Sequence, residues 1–328
     1  MERIIVTGGL GFIGSNYLLK NCPIHGKNEY LNIDKESEVS THFNVNEIQA
    51  LDNYKFVKLD LCNKSDLFPV IKEFAPTRII HFAAETHVDR SITDPHSFIE
   101  SNILGTLNIL EAIRHIQNSY GDRIHLHHVS TDEVYGSLQS EGSFYEYTKY
   151  DPSSPYSSSK ASSDLLVQAW GRTYGIPYTI SNCSNNYGPR QHSEKLIPLV
   201  IKKIRSNSKI PVYGNGKNIR DWLYVDDHCD AINAILDSGK QGTSYNIGGE
   251  CELDNITLIK MICGIMSIKL GCDIEDLLSL IEYVQDRPGH DFRYAINADK
   301  IKKDCGWSPK KNVYSGLEET INWYMQNS

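Results

Sequence analysis

The chain has 328 residues, 40% apolar and 23% charged, with a net charge of −8. This is a soluble globular composition, long enough for one large domain or two moderate ones, and its acidity argues against generic nucleic-acid or anionic-membrane binding. No apolar run approaches a membrane-crossing length, the eight cysteines are scattered without a Cys-x-x-Cys pair, and no leader pattern precedes Arg3-Ile4-Ile5-Val6, so a reducing, cytoplasmic setting is expected.

In chain order, 4–7 reads as a strand, and Gly8-Gly9-Leu10-Gly11-Phe12-Ile13-Gly14 follows at once, opening a helix over 12–20. Gly8, Gly11 and Gly14 allow a tight strand-to-helix turn and close approach of backbone N–H groups to a pyrophosphate at the helix N-terminus. A second strand over 30–33 ends at Asp34, about 20 residues beyond the glycines, where a carboxylate accepts from adenosine ribose hydroxyls. That charge repels a 2′-phosphate and favours NAD over NADP, although Lys35 beside it could tolerate the phosphate. Strand 56–59 leads to Asp60-Leu61, suited to an adenine contact. A helix over 64–74 carries Pro69, expected to kink or shorten it. Strand 78–82 ends in the small Ala83-Ala84, then a long helix covers 95–116 and a fifth strand 124–129. Such alternation builds a doubly wound parallel α/β sheet whose ligands bind beyond the carboxyl ends of the strands.

Ser130-Thr131-Asp132-Glu133-Val134-Tyr135-Gly136 begins where the fifth strand stops. In a loop there, both carboxyls can reach one ligand, whereas inside a strand they would diverge. The polar connection 136–155 is either a lid or a poorly ordered loop. Tyr156 and Lys160 lie four apart on a helix running to about 174, so they share a face. An ammonium beside a phenol favours the phenolate, which makes the pair an alcohol-deprotonating base. Beyond a sixth strand (178–181) the alternation weakens. Helices are expected over 195–204, to 236, over 256–270 and over 316–325, with extended pieces at 210–214 and 244–248. The histidines at 125, 127 and 128 offer no convincing metal-ligand set, and Asp226, Asp227 and Asp230 read as a helix start.

The glycine loop, Tyr156-x-x-x-Lys160 and this topology resemble an extended short-chain dehydrogenase/reductase. Within it, the chain resembles the nucleoside-diphosphate-glucose 4,6-dehydratases. The segments that carry the likeness are 83–91, 130–136, 182–189, 219–225 and 286–291, with Asp132-Glu133 directly after Thr131 the dehydratase mark. The resemblance implies a Rossmann part (1–182 and 220–248) and a smaller nucleotide-sugar part (183–219 and 249–328). It implies an NAD site at Gly8, Gly11, Phe12, Ile13, Gly14, Asp34, Asp60, Leu61, Ala83, Ala84, Ser101, Tyr156, Lys160 and Asn186. It places a nucleotide sugar, dTDP-glucose or UDP-glucose, against Thr86, Thr131, Asn185, Lys195, Leu196, Pro211, Tyr213, Arg220, Asn255, Arg287 and His290. The two arginines also suit a diphosphate on chemical grounds. A homodimer through helices 95–116 and 157–174 is implied as well. The stretch 35–39 departs from the family's usual aromatic-containing run. The expected chemistry is oxidation at C4 by Tyr156, Thr131 and Lys160 with NAD, elimination across C5–C6 by carboxylate Glu133 and neutral Asp132, and hydride return to C6. A 4-epimerase or decarboxylase on the same scaffold has no use for the acidic pair. A silent NAD-binding regulator has no use for the tyrosine and lysine.

Overall fold

Short runs rich in Ile, Val and Leu suit strands covered on both faces, the usual state of parallel sheets. The computed structural model describes residues 2–24, 28–37, 39–286 and 289–327. Its first half runs β1 (Glu2–Thr7), α1 (Phe12–Asn21), β2 (Asn28–Asp34), β3 (Tyr54–Lys58), α2 (Lys64–Phe74), β4 (Arg78–His81), the short α3 (Val88–Thr93) and α4 (Pro95–Phe98), α5 (Gly105–Tyr120), β5 (His125–Thr131) and α6 (Pro155–Tyr174). The second half has β6 (Tyr178–Cys183), β7 (Asn185–Tyr187), α7 (Leu196–Arg205), β8 (Ile210–Tyr213), β9 (Ile219–Tyr224), α8 (Val225–Ser238), β10 (Thr243–Ile247) and β11 (Glu252–Asp254). It closes with α9 (Asn255–Leu270), α10 (Ile274–Leu278), β12 (Ile281–Val284), α11 (Asp299–Cys305) and α12 (Val313–Asn327).

Among the described residues, seven strands form an all-parallel sheet in the order β3-β2-β1-β4-β5-β6-β10. The expected doubly wound α/β fold is therefore present, and its strand order switches direction between β1 and β4, where a ligand crevice forms. Successive strand residues serve opposite faces. Ile5 and Ile79 pack with Ile71 of α2 and Ile113 of α5, while Ile4, Val6 and Ile80 pack with Leu18 of α1 and Ile232 of α8. A further cluster joins Tyr187 and Trp222 to Val200 of α7, Ile262 of α9 and Leu317 of α12. It surrounds the three-stranded β11-β9-β7 and two-stranded β12-β8 sheets.

Pro69 does not break α2. Burial of Leu67, Ile71 and Phe74 on that helix, at about 1.5–3 kcal/mol each, outweighs the roughly 3 kcal/mol cost of an interior proline. The helix expected over 95–116 is instead α4, a π-helical turn at Ile99–Leu104, and α5. The buried Asn102 accounts for the wide turn: its side chain accepts from Glu85 N (2.8 Å) and donates to Glu85 O (3.0 Å) and Ser159 Oγ (2.8 Å). The 136–155 connection is tied down. Leu138 N donates to Arg293 O (2.9 Å), Phe144 N to Ala295 O (2.8 Å) and Asp151 N to Val134 O (3.0 Å).

Candidate active site

The glycine loop crosses from β1 to α1, and three of its four glycines differ in how closely an added side chain would meet the protein. A Cβ at Gly8 (φ +73°) would sit 2.6 Å from Ala83 N, and one at Gly14 2.4 Å from Gly8 O. Both are required by the protein's own packing. A Cβ at Gly11 would meet only Gly8 O at 3.2 Å, and it would project into the cleft that Gly11 lines. Gly11 is also the N-cap of α1 without a side-chain cap. The first N–H groups of α1 thus face a cradle that a side chain would fill, which suits a pyrophosphate.

Asp34 ends β2 with 6% exposure. Its Oδ2 accepts from Leu10 N (3.0 Å), and its Oδ1 from Glu36 N (3.0 Å) and Ser40 Oγ (3.1 Å). Burial raises its pKa against these three donors. Asp34 therefore clamps the glycine loop as well as presenting a carboxyl to the cleft. Lys35 is committed elsewhere: its ammonium binds Glu85 Oε1 (2.8 Å) and Ser101 Oγ (2.9 Å). A cation so engaged does little for a 2′-phosphate, which answers the reservation raised by its position. Asp60, Leu61, Ala83, Ala84, Ser101 and Asn186 line the same cleft. The residues present fit an NAD molecule laid across the carboxyl ends of the strands.

The candidate reacting groups come from β5 and α6. Pairing of β5 with β6 continues through Thr131↔Cys183, so the strand runs two residues past its expected end at Val129. Thr131 then caps a 3-10 turn, Asp132–Tyr135, by accepting from Glu133 N (3.3 Å). The turn, rather than a loop, keeps both carboxyls on the cleft. Asp132 is 1% exposed; Thr131 Oγ1 donates to its Oδ1 at 3.3 Å, and its Oδ2 has no hydrogen-bond partner among the described residues. Burial, with Glu133 and Asp221 nearby, holds it well above the usual carboxylate range. Removal from water disfavours the charged form of a carboxyl and favours the protonated one. Glu133 is half-buried.

α6 starts cleanly because Ser154 and Ser157 form a capping box and Pro155 opens the first turn; Gly175 (φ +70°) ends it. The helix delivers Tyr156 and Lys160 into the cleft. Burial, then Glu133, pushes the Tyr156 phenol well above its ordinary value near 10, and Thr131 beside it acts in the other direction. The expectation that Lys160 brings the phenol down is not met within the protein alone. The Lys160 ammonium donates to Val129 O at 2.9 Å, and its own pKa is lowered by burial, with Asp164 opposing. Asp164 lies one turn further along α6.

Of the substrate-side residues, Thr86, Thr131, Asn185 and Lys195 line the cleft. Asn185 Oδ1 is buried without a partner among the described residues, and Lys195 Nζ donates to Thr86 O at 3.0 Å. Leu196, Pro211, Tyr213, Arg220, Asn255 and His290 do not line it. Tyr213 of β8 lies edge-on to His290 at 6.3 Å and donates to Asp89 Oδ2 (3.4 Å), while His290 pairs with Asp286 at 2.5 Å. Leu196 and Asn255 open α7 and α9. Arg220, 5% exposed, donates to Ile219 O (2.7 Å) and Asp291 O (3.0 Å) and stacks 4.4 Å over Tyr294. Its charge nonetheless acts on Asp132, so this group adjoins the catalytic turn. Arg287 lies outside the described residues. His127 meets Thr179 (2.9 Å) and Ser181 (3.1 Å), and His125 meets Thr179 (3.0 Å). Cys183, Ser184 and Gln191 also line the cleft and were not foreseen. The motif Asn182–Pro189 contained two of them, but their side chains carry no chemistry that singles them out.

The family model described as GDP-mannose 4,6 dehydratase matches residues 5–320. A dTDP-glucose 4,6-dehydratase of Escherichia coli is 46% identical over 342 residues, covering 99% of this chain and 94% of that protein. The solved dTDP-glucose 4,6-dehydratase of Bacillus anthracis, in complex with NAD, superposes with a TM-score of 0.88 at 43% identity, covering 100% of this chain and 97% of that one. That of Streptomyces venezuelae, also with NAD bound, gives 0.90 at 39% identity, covering 99% and 97%. Matched along nearly its whole length in sequence and in fold, the chain belongs to the dTDP-glucose 4,6-dehydratase family of the extended short-chain dehydrogenases/reductases.

Proposed function

We infer that this chain is an NAD-dependent nucleotide-sugar 4,6-dehydratase that converts dTDP-glucose, or UDP-glucose, to the 4-keto-6-deoxy sugar nucleotide and water. The observation that carries the reading is Asp132, a carboxyl buried to 1% exposure and pushed well above the usual carboxylate range by burial and by Glu133, in one cleft with Tyr156. Two adjacent carboxyls pushed apart in pKa can act as acid and base on neighbouring carbons. When bound, NAD supplies a hydride acceptor for C4, a positive ring charge that favours the phenolate and, once reduced, the hydride that fills C6.

Thr131 holds the C4 hydroxyl beside Tyr156, which takes its proton. The resulting ketone acidifies the C5 hydrogen, which Glu133 removes. Asp132 donates its proton to the departing C6 hydroxyl, and water leaves. Glu133 returns its proton to C5, and the proton that Tyr156 took from the C4 hydroxyl replaces, by way of solvent, the one that Asp132 gave up, so all three groups end as they began. An epimerase or decarboxylase has no step for the neutral Asp132, so the same observation weighs against those readings.

The division into a cofactor part (1–182 and 220–248) and a nucleotide-sugar part (183–219 and 249–328) belongs to the same proposal, as do Arg220, Arg287 and His290 as diphosphate and sugar contacts. The homodimer would form through residues 95–116 and 157–174, where Ile99, Leu104 and Leu165 are exposed. All eight cysteines are free thiols, which suits the cytoplasm, and no described helix is long and apolar enough to cross a membrane. Incubation with dTDP-glucose and with UDP-glucose, followed by mass spectrometry, tests the function: loss of one water is expected. In Glu133→Gln, NADH absorbance should build up without water loss. Full turnover by that variant would refute the assignment of the base.

A further inference from the structure

Tyr156, Lys160 and Asp164 repeat every four residues along α6, so all three occupy one helix face. Asp164 is 0% exposed and lies one turn beyond the machinery described above. Its Oδ2 accepts from three side chains: Ser130 Oγ (2.9 Å), Tyr150 Oη (2.9 Å) and Asn182 Nδ2 (3.2 Å). Ser130 directly precedes Thr131 and Asp132, and Asn182 Nδ2 also donates to Thr131 O at 3.2 Å. Tyr150 belongs to the 136–155 connection. One carboxylate oxygen thus joins α6, the ends of β5 and β6, and the segment that covers them.

The charged and titratable groups facing this carboxyl complete the picture. His128 of β5 brings Nε2 to 3.2 Å from Asp164 Oδ1 and 3.1 Å from Ser163 Oγ; burial keeps that imidazole well below 6.5 and so neutral. Tyr135 and Tyr150 are phenols raised by burial and by Asp164. Cys183 of β6 is a thiol pushed up to about 12 by burial. Lys160 is the cation that lowers Asp164, and Asp164 in turn is the foremost group supporting the Lys160 ammonium.

We propose that Asp164 is a positioning residue for the reaction, fixing the Ser130–Thr131–Asp132 run in register with Tyr156 and providing the counter-charge that keeps Lys160 an ammonium. The proposal rests on the reading of Tyr156 and Lys160 given above and adds a residue that touches neither substrate nor cofactor. Asp164 itself is raised to about 6, burial outweighing its donors and Lys160, so the arrangement is complete only above that pH.

The test uses NADH formation from dTDP-glucose by the NAD-loaded enzyme in the Glu133→Gln background. Build-up there tests the dehydratase reading by itself; the ratio with and without Asp164→Asn tests the proposal. Asp164→Asn should slow oxidation about tenfold or more, and the alkaline limb of its pH profile should move down by about one unit, because Lys160 loses its proton earlier. KM for the sugar nucleotide should stay unchanged. An unmoved alkaline limb with a rate close to that of the background overturns the proposal. Where Asp164→Asn fails to fold, Tyr150→Phe keeps the carboxyl but removes one donor. The acid limb should then rise, and an acid limb at its original position overturns the proposal equally.

Discussion

At the carboxyl ends of β5 and β6, Asp132, Tyr156, Lys160 and Asp164 are each buried, and every one has its pKa moved by that burial. Outside the cleft, Tyr213 is 42% exposed and the Asp286 side chain that pairs with His290 is 44% exposed. Glu194, which binds Arg90 and lies 3.5 Å from His192, is likewise open to solvent. The two regions do different work. Proton transfer needs one carboxyl neutral and one charged at the same pH, and removal from water together with a like charge alongside separates such values. Exposed polar pairs keep their water, and each is worth roughly 0–1 kcal/mol.

The comparison breaks most sharply at Asp132. Asp132→Asn keeps the shape of the side chain but removes its proton, so elimination should slow by about 10²–10⁴-fold, the usual worth of a positioned general acid. Oxidation at C4 should persist as NADH absorbance. An Asp132→Asn enzyme that loses water at the wild-type rate contradicts the neutral-acid assignment.

The same contrast, inside against facing the ligand, runs through the glycine loop. Gly8→Ala places a Cβ 2.6 Å from Ala83 N at a φ of +73°, a strained and overpacked position that should lower stability by about 2–4 kcal/mol. Gly11→Ala meets only Gly8 O at 3.2 Å; it should fold normally and lose NAD affinity by about tenfold or more, 1.4 kcal/mol. Urea titration and NAD titration of the two variants separate the roles. If both lose only stability, Gly11 is not a cofactor residue.

Much of this was legible in the sequence because the signals are local. The strand runs, the glycine loop and the 64–74 helix need only short-range pattern, and the doubly wound parallel class follows from their alternation. The missed strands β7, β11 and β12 are three or four residues long and exist because distant strands pair with them. The π turn at Ile99–Leu104 is set by Asn102 reaching Glu85 and Ser159, contacts no window of sequence contains. Asp164 was within reach, since the four-residue spacing that joins Tyr156 to Lys160 extends to it. What hid it is that its partners Ser130, Tyr150 and Asn182 come from three other segments. The lowering of the phenol by Lys160 failed for a related reason: spacing gives a shared face, but burial decides the sign.

Burial without a ligand sharpens the comparison through His127, which sits in the sheet at 0% exposure between Thr179 and Ser181. Burial, then His125, His228 and His128, pushes it well below 6.5. The unfolded chain binds a proton near 6.5 that the folded chain refuses, so stability falls as pH drops below about 6.5, by roughly 1.4 kcal/mol per unit for this one group. His127→Gln removes that dependence. The stability gap between wild type and His127→Gln should therefore shrink between pH 7.5 and 5.5 in urea titrations. A gap independent of pH would show that the ring titrates alike in both states.

The smallest effect belongs to Lys35, whose side chain is 35% exposed and paired with Glu85. Lys35→Ala removes a half-exposed ion pair, so stability should drop by no more than about 1 kcal/mol. The sharper readout is cofactor choice. Because the ammonium is held by Glu85 and Ser101, it contributes little to a 2′-phosphate, and the carboxylate of Asp34 remains to repel one. The ratio of NAD to NADP affinity should change by no more than about two-fold, in line with a weak exposed charge. A larger rise in that ratio would mean that Lys35 leaves Glu85 for the phosphate, and that the adenosine end is built from mobile charges like the Tyr213–His290 side rather than fixed ones like the catalytic turn.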